Sequence, residues 1–91
     1  MSHVVRVVLY GRPECHLCDE ARSGLLEIAG EAGVTVDLTE IDIEADTDLL
    51  RRYLERIPVI TMAGEEVSEL VLDQEAVRSE IARLAAAAPP S

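Results

Sequence analysis

Val4 to Tyr10 is apolar at every position except Arg6. A strand buried on both faces produces such a run, because neither alternating set of side chains is left to water. Cys18, Ala21, Leu25, Ile28 and Ala29 then recur at three- and four-residue intervals, the spacing of one helical face. A buried strand leading into an amphipathic helix constrains the chain to an α/β unit whose first strand is internal to a sheet.

The rest of the chain extends that unit. Gly30 and Gly33 are expected to end the first helix. Val34 to Ile43 reads as an outer strand with one solvated face, since Glu40 to Glu44 alternates strictly. Its apolar parity shifts between Leu38 and Ile41, which predicts a bulge or a late start near Asp37. Asp46 or Thr47 is placed to cap a short helix with Leu49, Leu50, Tyr53 and Leu54 on its buried side. Ile57 to Met62 reads as a strand, with Pro58 at its beginning because proline cannot donate to a ladder. Ala63-Gly64-Glu65-Glu66 is a hairpin signal, and Val67 to Leu72 is the expected return strand. Asp73 caps a last helix with Val77, Ile81 and Leu84 on its apolar face, fading into alanines before Pro89-Pro90. The order is β-α-β-α-β-β-α, with a four-stranded mixed sheet and helices around it. One domain is expected over residues 1–91, with its core from 4 to 84 and a tail from 85 to 91.

The formal net charge is -10, and every cation is one of eight arginines. Such a surface repels phosphate backbones and anionic lipid, so neither nucleic acid nor membrane is an expected partner. No apolar run approaches the ~18 residues that a spanning helix needs. Met1-Ser2-His3-Val4 enters the first strand without a basic, apolar leader, so a reducing cytoplasm is the expected compartment. There, a lone close cysteine pair is more often catalytic or metal-binding than structural.

The only two cysteines, Cys15 and Cys18, lie between the first strand and its helix. A thiolate attacks a disulfide, and a free thiol with pKa near ~8.5 is mostly protonated at neutral pH. At the helix N-terminus Cys15 faces unpaired N–H groups that favour the thiolate. Cys18, one turn deeper, is placed to resolve a mixed disulfide. Arg12 and a protonated His16 favour the thiolate, whereas Glu14 and Asp19 oppose it; the helix terminus and Arg12 are expected to prevail. The alternatives are that Arg12 only solubilises the surface and that His16 is an uncharged loop residue. His3 reads as a terminal surface residue.

Pro58 admits two readings: a trans proline that starts a strand, or a cis proline against the cysteine pair. In the second, the Ile57 backbone is free to pair with an extended substrate segment. Metal binding is the competing chemistry. Structural zinc wants four protein ligands, and the local set is Cys15, Cys18 and His16. Iron–sulfur ligation needs a partner chain or an outside thiol. A carrier of metal or cluster, or a redox sensor that transfers no electrons, are therefore the alternatives to disulfide exchange.

Tyr10-Gly11-Arg12-Pro13-Glu14-Cys15-His16-Leu17-Cys18 resembles the glutaredoxin segment in which Tyr, a small residue, a basic residue and Pro lead into Cys-Pro-Tyr-Cys. The resemblance, to the glutaredoxin-like branch of the thioredoxin superfamily, runs from Val4 to about Leu84. The string Cys-His-Leu-Cys-Asp-Glu, with Ile41-Asp42-Ile43 and Ile57-Pro58-Val59, is most similar to a group of small bacterial glutaredoxin-like proteins. It implies a three-layer thioredoxin-like fold and a monomeric thiol–disulfide oxidoreductase acting on protein or small-molecule disulfides, without a tightly bound cofactor. By the same likeness Cys15 is the nucleophile, Cys18 the resolving thiol and Arg12 the cation beside the thiolate. Pro58 becomes the cis-proline, and Ile57 supplies the substrate-binding backbone. Glutaredoxins that grip glutathione have Thr-Val-Pro and a Gly-Gly pair; here Arg56-Ile57-Pro58 and Ser68-Glu69 stand in those places. Glu69 is expected to repel a glutathione carboxylate, so thioredoxin reductase or another thiol becomes the expected electron donor.

Overall fold

The structure, a computed structural model, describes residues 4–87. His3 and the tail from Ala88 onward lie outside the described residues. The chain order is β1 (Val4–Gly11), α1 (His16–Ala32), β2 (Thr35–Asp42), a 3-10 turn (Ile43–Ala45), α2 (Thr47–Tyr53), β3 (Val59–Met62), β4 (Glu65–Glu69) and α3 (Gln74–Ala87). The four strands form one mixed sheet in the order β2-β1-β3-β4. β1 pairs parallel with β2 and antiparallel with β3, and β4 pairs antiparallel with β3. This is the thioredoxin-like arrangement, with β1 internal.

α1 and α3 cover one face of the sheet. Val5, Val7 and Leu9 of β1 meet the Cys18, Ala21, Leu25, Ile28 and Ala29 face of α1 and Val77 and Ile81 of α3. On the other face, Ile43, Tyr53, Ile57 and Val59 form a smaller cluster, with Tyr10, Cys15, Leu49 and Leu50 packed against it. The two-sided burial expected for β1 is therefore graded. Val8 and Tyr10 are half-buried, whereas Val4 is 60% exposed. Its second face is covered only where α2 and the 3-10 turn reach, toward the strand's C-terminal end. That end carries the cysteine pair.

β2 corrects a second expectation. Its register against β1 runs unbroken from Val4↔Thr35 to Gly11↔Asp42, so no bulge accompanies the parity shift. Leu38 packs with the α1 and α3 core, and Ile41, an odd number of residues later, points to the opposite face beside Tyr10. The irregularity lies in β4 instead, where Ser68 and Glu66 oppose Ile60 and Thr61 and Val67 is the extra residue.

The local stops also differ in detail. Gly30 is inside α1, and Gly33 alone ends it, in the left-handed conformation at φ 68°. Ala63 and Gly64 both have positive φ, 52° and 81°, which closes the β3–β4 hairpin in two residues. The return strand therefore starts at Glu65, two residues earlier than its apolar pattern suggests, and stops before Leu70, whose φ is 60°. Leu54 lies beyond α2 and is 48% exposed, not on its buried side.

Caps set the starts of the shorter elements. Asp46 accepts the N–H groups of Asp48 and Leu49 at 2.8 and 3.2 Å, and Asp73 accepts that of Ala76 at 3.1 Å. A helix as short as α2 is not stable alone. Asp46→Ala is expected to cost about 1 kcal/mol, read as a fall in the midpoint of urea unfolding without a change in its slope.

Candidate active site

The segment after β1 turns sharply, with Glu14 in the left-handed region at φ 57°, and delivers Cys15 to the N-cap of α1 in an extended conformation. The Cys15 Sγ accepts the backbone N–H of Cys18 at 3.1 Å, doing with sulfur what a serine or aspartate oxygen does at other helix starts. A sulfur so placed meets the positive end of a 17-residue helix, which favours its anionic form. Cys15 is half-buried and Cys18 is 3% exposed. Their Cα atoms are 5.2 Å apart and their sulfurs lie at bonding separation.

The surrounding charges are arranged differently from the sequence expectation. Asp19 does not stand alone against the thiolate, because Arg22 Nη1 meets its Oδ1 at 3.0 Å. The same guanidinium grips Glu40 of β2 through Nε at 2.9 Å, tying α1 to the sheet edge. Hydrogen bonds to Glu40 first, and then to Asp19, hold Arg22 protonated above its already high ordinary range. His16 is exposed and pairs with Glu20 one turn on, at 3.3 Å. Arg12 is exposed, and it lines a cavity of about 160 Å³ with Gly11, Cys18, Glu40 and Asp42.

The Ile57–Pro58 bond is cis, and Pro58 is fully buried. Its neighbours Ile57 and Val59 belong to the cluster against which Cys15 packs, so the proline segment and the reactive loop meet on one apolar floor. The Arg56 carbonyl accepts the Leu70 N–H at 3.0 Å, tying the residues before the proline to the end of β4.

These features have counterparts among known proteins. Residues 6–82 match the glutaredoxin-like domain (DUF836). The chain belongs to this glutaredoxin-like family. It is 30% identical over 88 residues to the uncharacterized protein Rv0508 of Mycobacterium tuberculosis, spanning 93% of this chain and 91% of that one. Among solved structures it is similar to protein Ne2328 of Nitrosomonas europaea, at 27% identity and a TM-score of 0.74, covering 88% of this chain and 94% of that one. A second is the XcR50 protein of X. campestris, at 31% identity and a TM-score of 0.65, covering 91% and 99%. A close cysteine pair in a glutaredoxin-like fold supports thiol–disulfide oxidoreductase chemistry. Among the described residues, no group of three or more His, Cys, Asp or Glu side chains is placed to hold a metal ion, and no helix is long and apolar enough to cross a membrane.

Sequence reasoning missed three features of this glutaredoxin-like site. The Tyr10 and Tyr53 rings stack at 4.6 Å between centroids, joining the end of β1 to α2 beneath the reactive loop. Arg56 lies over the Tyr53 ring at 5.5 Å and pairs with both Glu66 and Glu69, the latter at 2.6 Å. Glu69 is therefore paired, a relation the sequence alone does not show. Ser68 is buried, and its Oγ accepts the Asp73 N–H at 2.9 Å, closing the turn into α3. The third feature is Gly11, where a Cβ would lie 2.7 Å from the Cys18 sulfur. A glycine directly before the cysteine loop was its only signal.

Proposed function

We propose that this protein reduces protein or small-molecule disulfides through a Cys15/Cys18 dithiol. One observation carries the reading: an accessible sulfur at a helix N-terminus, 5.2 Å between Cα atoms from a buried partner. The Cys15 thiolate attacks one substrate sulfur, the substrate disulfide breaks, and the first thiolate leaves and takes a proton. Cys18 then loses its proton and attacks the Cys15 sulfur. The mixed disulfide breaks, the second substrate thiol is released, and the two electrons have passed from the dithiol to the substrate. Arg12, and His16 when protonated, add positive charge to the loop that carries the thiolate. Ile57 and Pro58 form the docking edge for an extended substrate segment, a role supported by the apolar floor that Ile57 shares with Cys15.

The regenerating electrons come from a thiol or a reductase of the cytoplasm, with thioredoxin reductase favoured over glutathione. Arg56, Glu66 and Glu69 together leave one net negative charge where a glutathione carboxylate would approach, beside a cleft of about 320 Å³ that also includes Asp73. The test supplies oxidised protein and a model disulfide with glutathione and its reductase, or with thioredoxin reductase, and follows NADPH. Thioredoxin reductase is expected to support turnover, with glutathione slower by about tenfold or more. Equal or faster turnover with glutathione would overturn the donor assignment. Turnover with neither, despite a reducible pair, would favour the sensor reading.

A further inference from the structure

We infer that Gly11 is a positioning residue for the resolving thiol, setting the Cys18 sulfur within reach of Cys15. This rests on the dithiol reading above. Glycines chosen for backbone freedom have positive φ, and in this chain those are Gly33 and Gly64. Gly11 lies in β1, paired in register with Asp42, in a conformation open to any residue. Its missing side chain is needed for space instead. A Cβ there would sit 2.7 Å from the Cys18 Sγ, 3.4 Å from the Cys18 Cβ and 3.3 Å from Leu9 Cδ2. Carbon contacts normally settle at about 3.5–4.0 Å, so the sulfur has to give way.

The direction of that movement is constrained. Cys18 is held on α1 among Leu9, Ala21 and Leu25, so its backbone cannot readily withdraw from the strand. The remaining freedom is rotation about χ1 into another staggered well, which carries the sulfur away from its position beside Cys15. The small cavity of about 160 Å³ that borders both Gly11 and Cys18 gives a rotated sulfur somewhere to go. A methyl at position 11 thus penalises the joined state of the pair more than the separated dithiol. Cys15 is anchored by its own cap to the Cys18 N–H, and none of the three atoms nearest the added methyl belongs to it. Gly11 therefore acts on the second exchange, in which Cys18 displaces the bound thiol, and leaves the first attack by Cys15 nearly unchanged.

The experiment compares Gly11→Ala with the parent protein in dithiothreitol redox buffers, reading the equilibrium between dithiol and intramolecular disulfide. Alkylation of the reduced protein reads Cys15 separately. Gly24→Ala is the packing control, since a Cβ there would meet Leu72 Cδ2 at 2.5 Å, in the middle of α1 and away from the cysteine pair. The expected result is a fall of about tenfold in the stability of the disulfide, equivalent to about 30 mV toward easier reduction, with the Cys15 alkylation rate within about twofold of the parent. Gly24→Ala is expected to leave that equilibrium at the parent's value, because the Leu72 side-chain end can move aside. A disulfide equilibrium within about twofold of the parent for Gly11→Ala, or an equal shift in Gly24→Ala, would overturn the role.

If Gly11→Ala does not fold, melting temperatures in the Cys18→Ala background decide the matter. With the sulfur removed, adding Gly11→Ala is expected to cost much less than it does in the parent. A cost undiminished without the sulfur would overturn the role. Because these readouts need no substrate or reductase, absence of catalytic turnover would count against the proposed function and leave this test intact.

Discussion

Cys15→Ser is expected to reduce disulfide turnover to the uncatalysed background, because no other thiol in the chain is both accessible and seated at a helix N-terminus. A serine at position 15 can still cap the helix by accepting the Cys18 N–H, so the fold is expected to survive the substitution. Cys18→Ser acts at a different step. The first exchange proceeds and the mixed disulfide accumulates, so one substrate thiol is released and multiple turnover by the dithiol route stops. Alkylation of Cys15 in the reduced parent is expected to titrate below the ordinary free-thiol value. Initial-rate assays with a model protein disulfide, together with quantified released thiol, separate the two variants. Retained multiple turnover in Cys15→Ser would remove Cys15 as the nucleophile.

Ile43→Ala is expected to give the largest loss of stability at the site. Ile43 is fully buried where β2 passes into α2, in the small cluster with Tyr53, Ile57 and Val59. Truncating a buried isoleucine removes its transfer free energy and leaves a cavity, together costing about 2–5 kcal/mol. That is a large share of the ~5–15 kcal/mol that holds a typical domain together. For a chain of this size it corresponds to a melting-temperature fall of about 8 °C or more. Leu54→Ala is the matched control: Leu54 is 48% exposed, and its loss is expected to change stability by no more than about 0.5 kcal/mol. A fall no larger for Ile43→Ala than for Leu54→Ala would show that the second-face cluster contributes little.

Most of the fold was legible because local signals and burial agree. The face named for α1 from spacing alone, Cys18, Ala21, Leu25, Ile28 and Ala29, is the face that is buried, and Asp46 and Asp73 cap the helices they were expected to cap. The errors arose where a residue's partner lies on another element. The apolar run of β1 reads as buried on both faces, but how much of the second face is covered depends on the length of α2, which a pattern within β1 does not carry. The parity shift in β2 reads as a bulge in isolation; in the sheet its two apolar sets face two different layers. The return strand reads as starting late because its solvent-facing beginning, Glu65 and Glu66, has no apolar signal.

The site divides in the same way. The cysteine spacing and the Ile57–Pro58 pair are local in sequence, and both could be read directly. The pairing of Glu69 could not be read locally because its partner, Arg56, lies thirteen residues earlier and across the sheet edge. Arg22 likewise answers Asp19 and Glu40 from two directions. Gly11 was visible as a residue, but its relation to the Cys18 sulfur exists only once α1 has packed onto β1.

Peptide mapping of the adduct formed by Cys18→Ser with a model disulfide tests the assignment of a Cys15 nucleophile most directly. The reduced variant is exposed to the disulfide, quenched with acid, digested without reductant and weighed by mass spectrometry. The expected product is a single mixed disulfide on the peptide containing Cys15, released by dithiothreitol. Failure of Cys15 to form that adduct with any accessible disulfide, while the parent protein still reduces the same disulfide, would contradict the assignment.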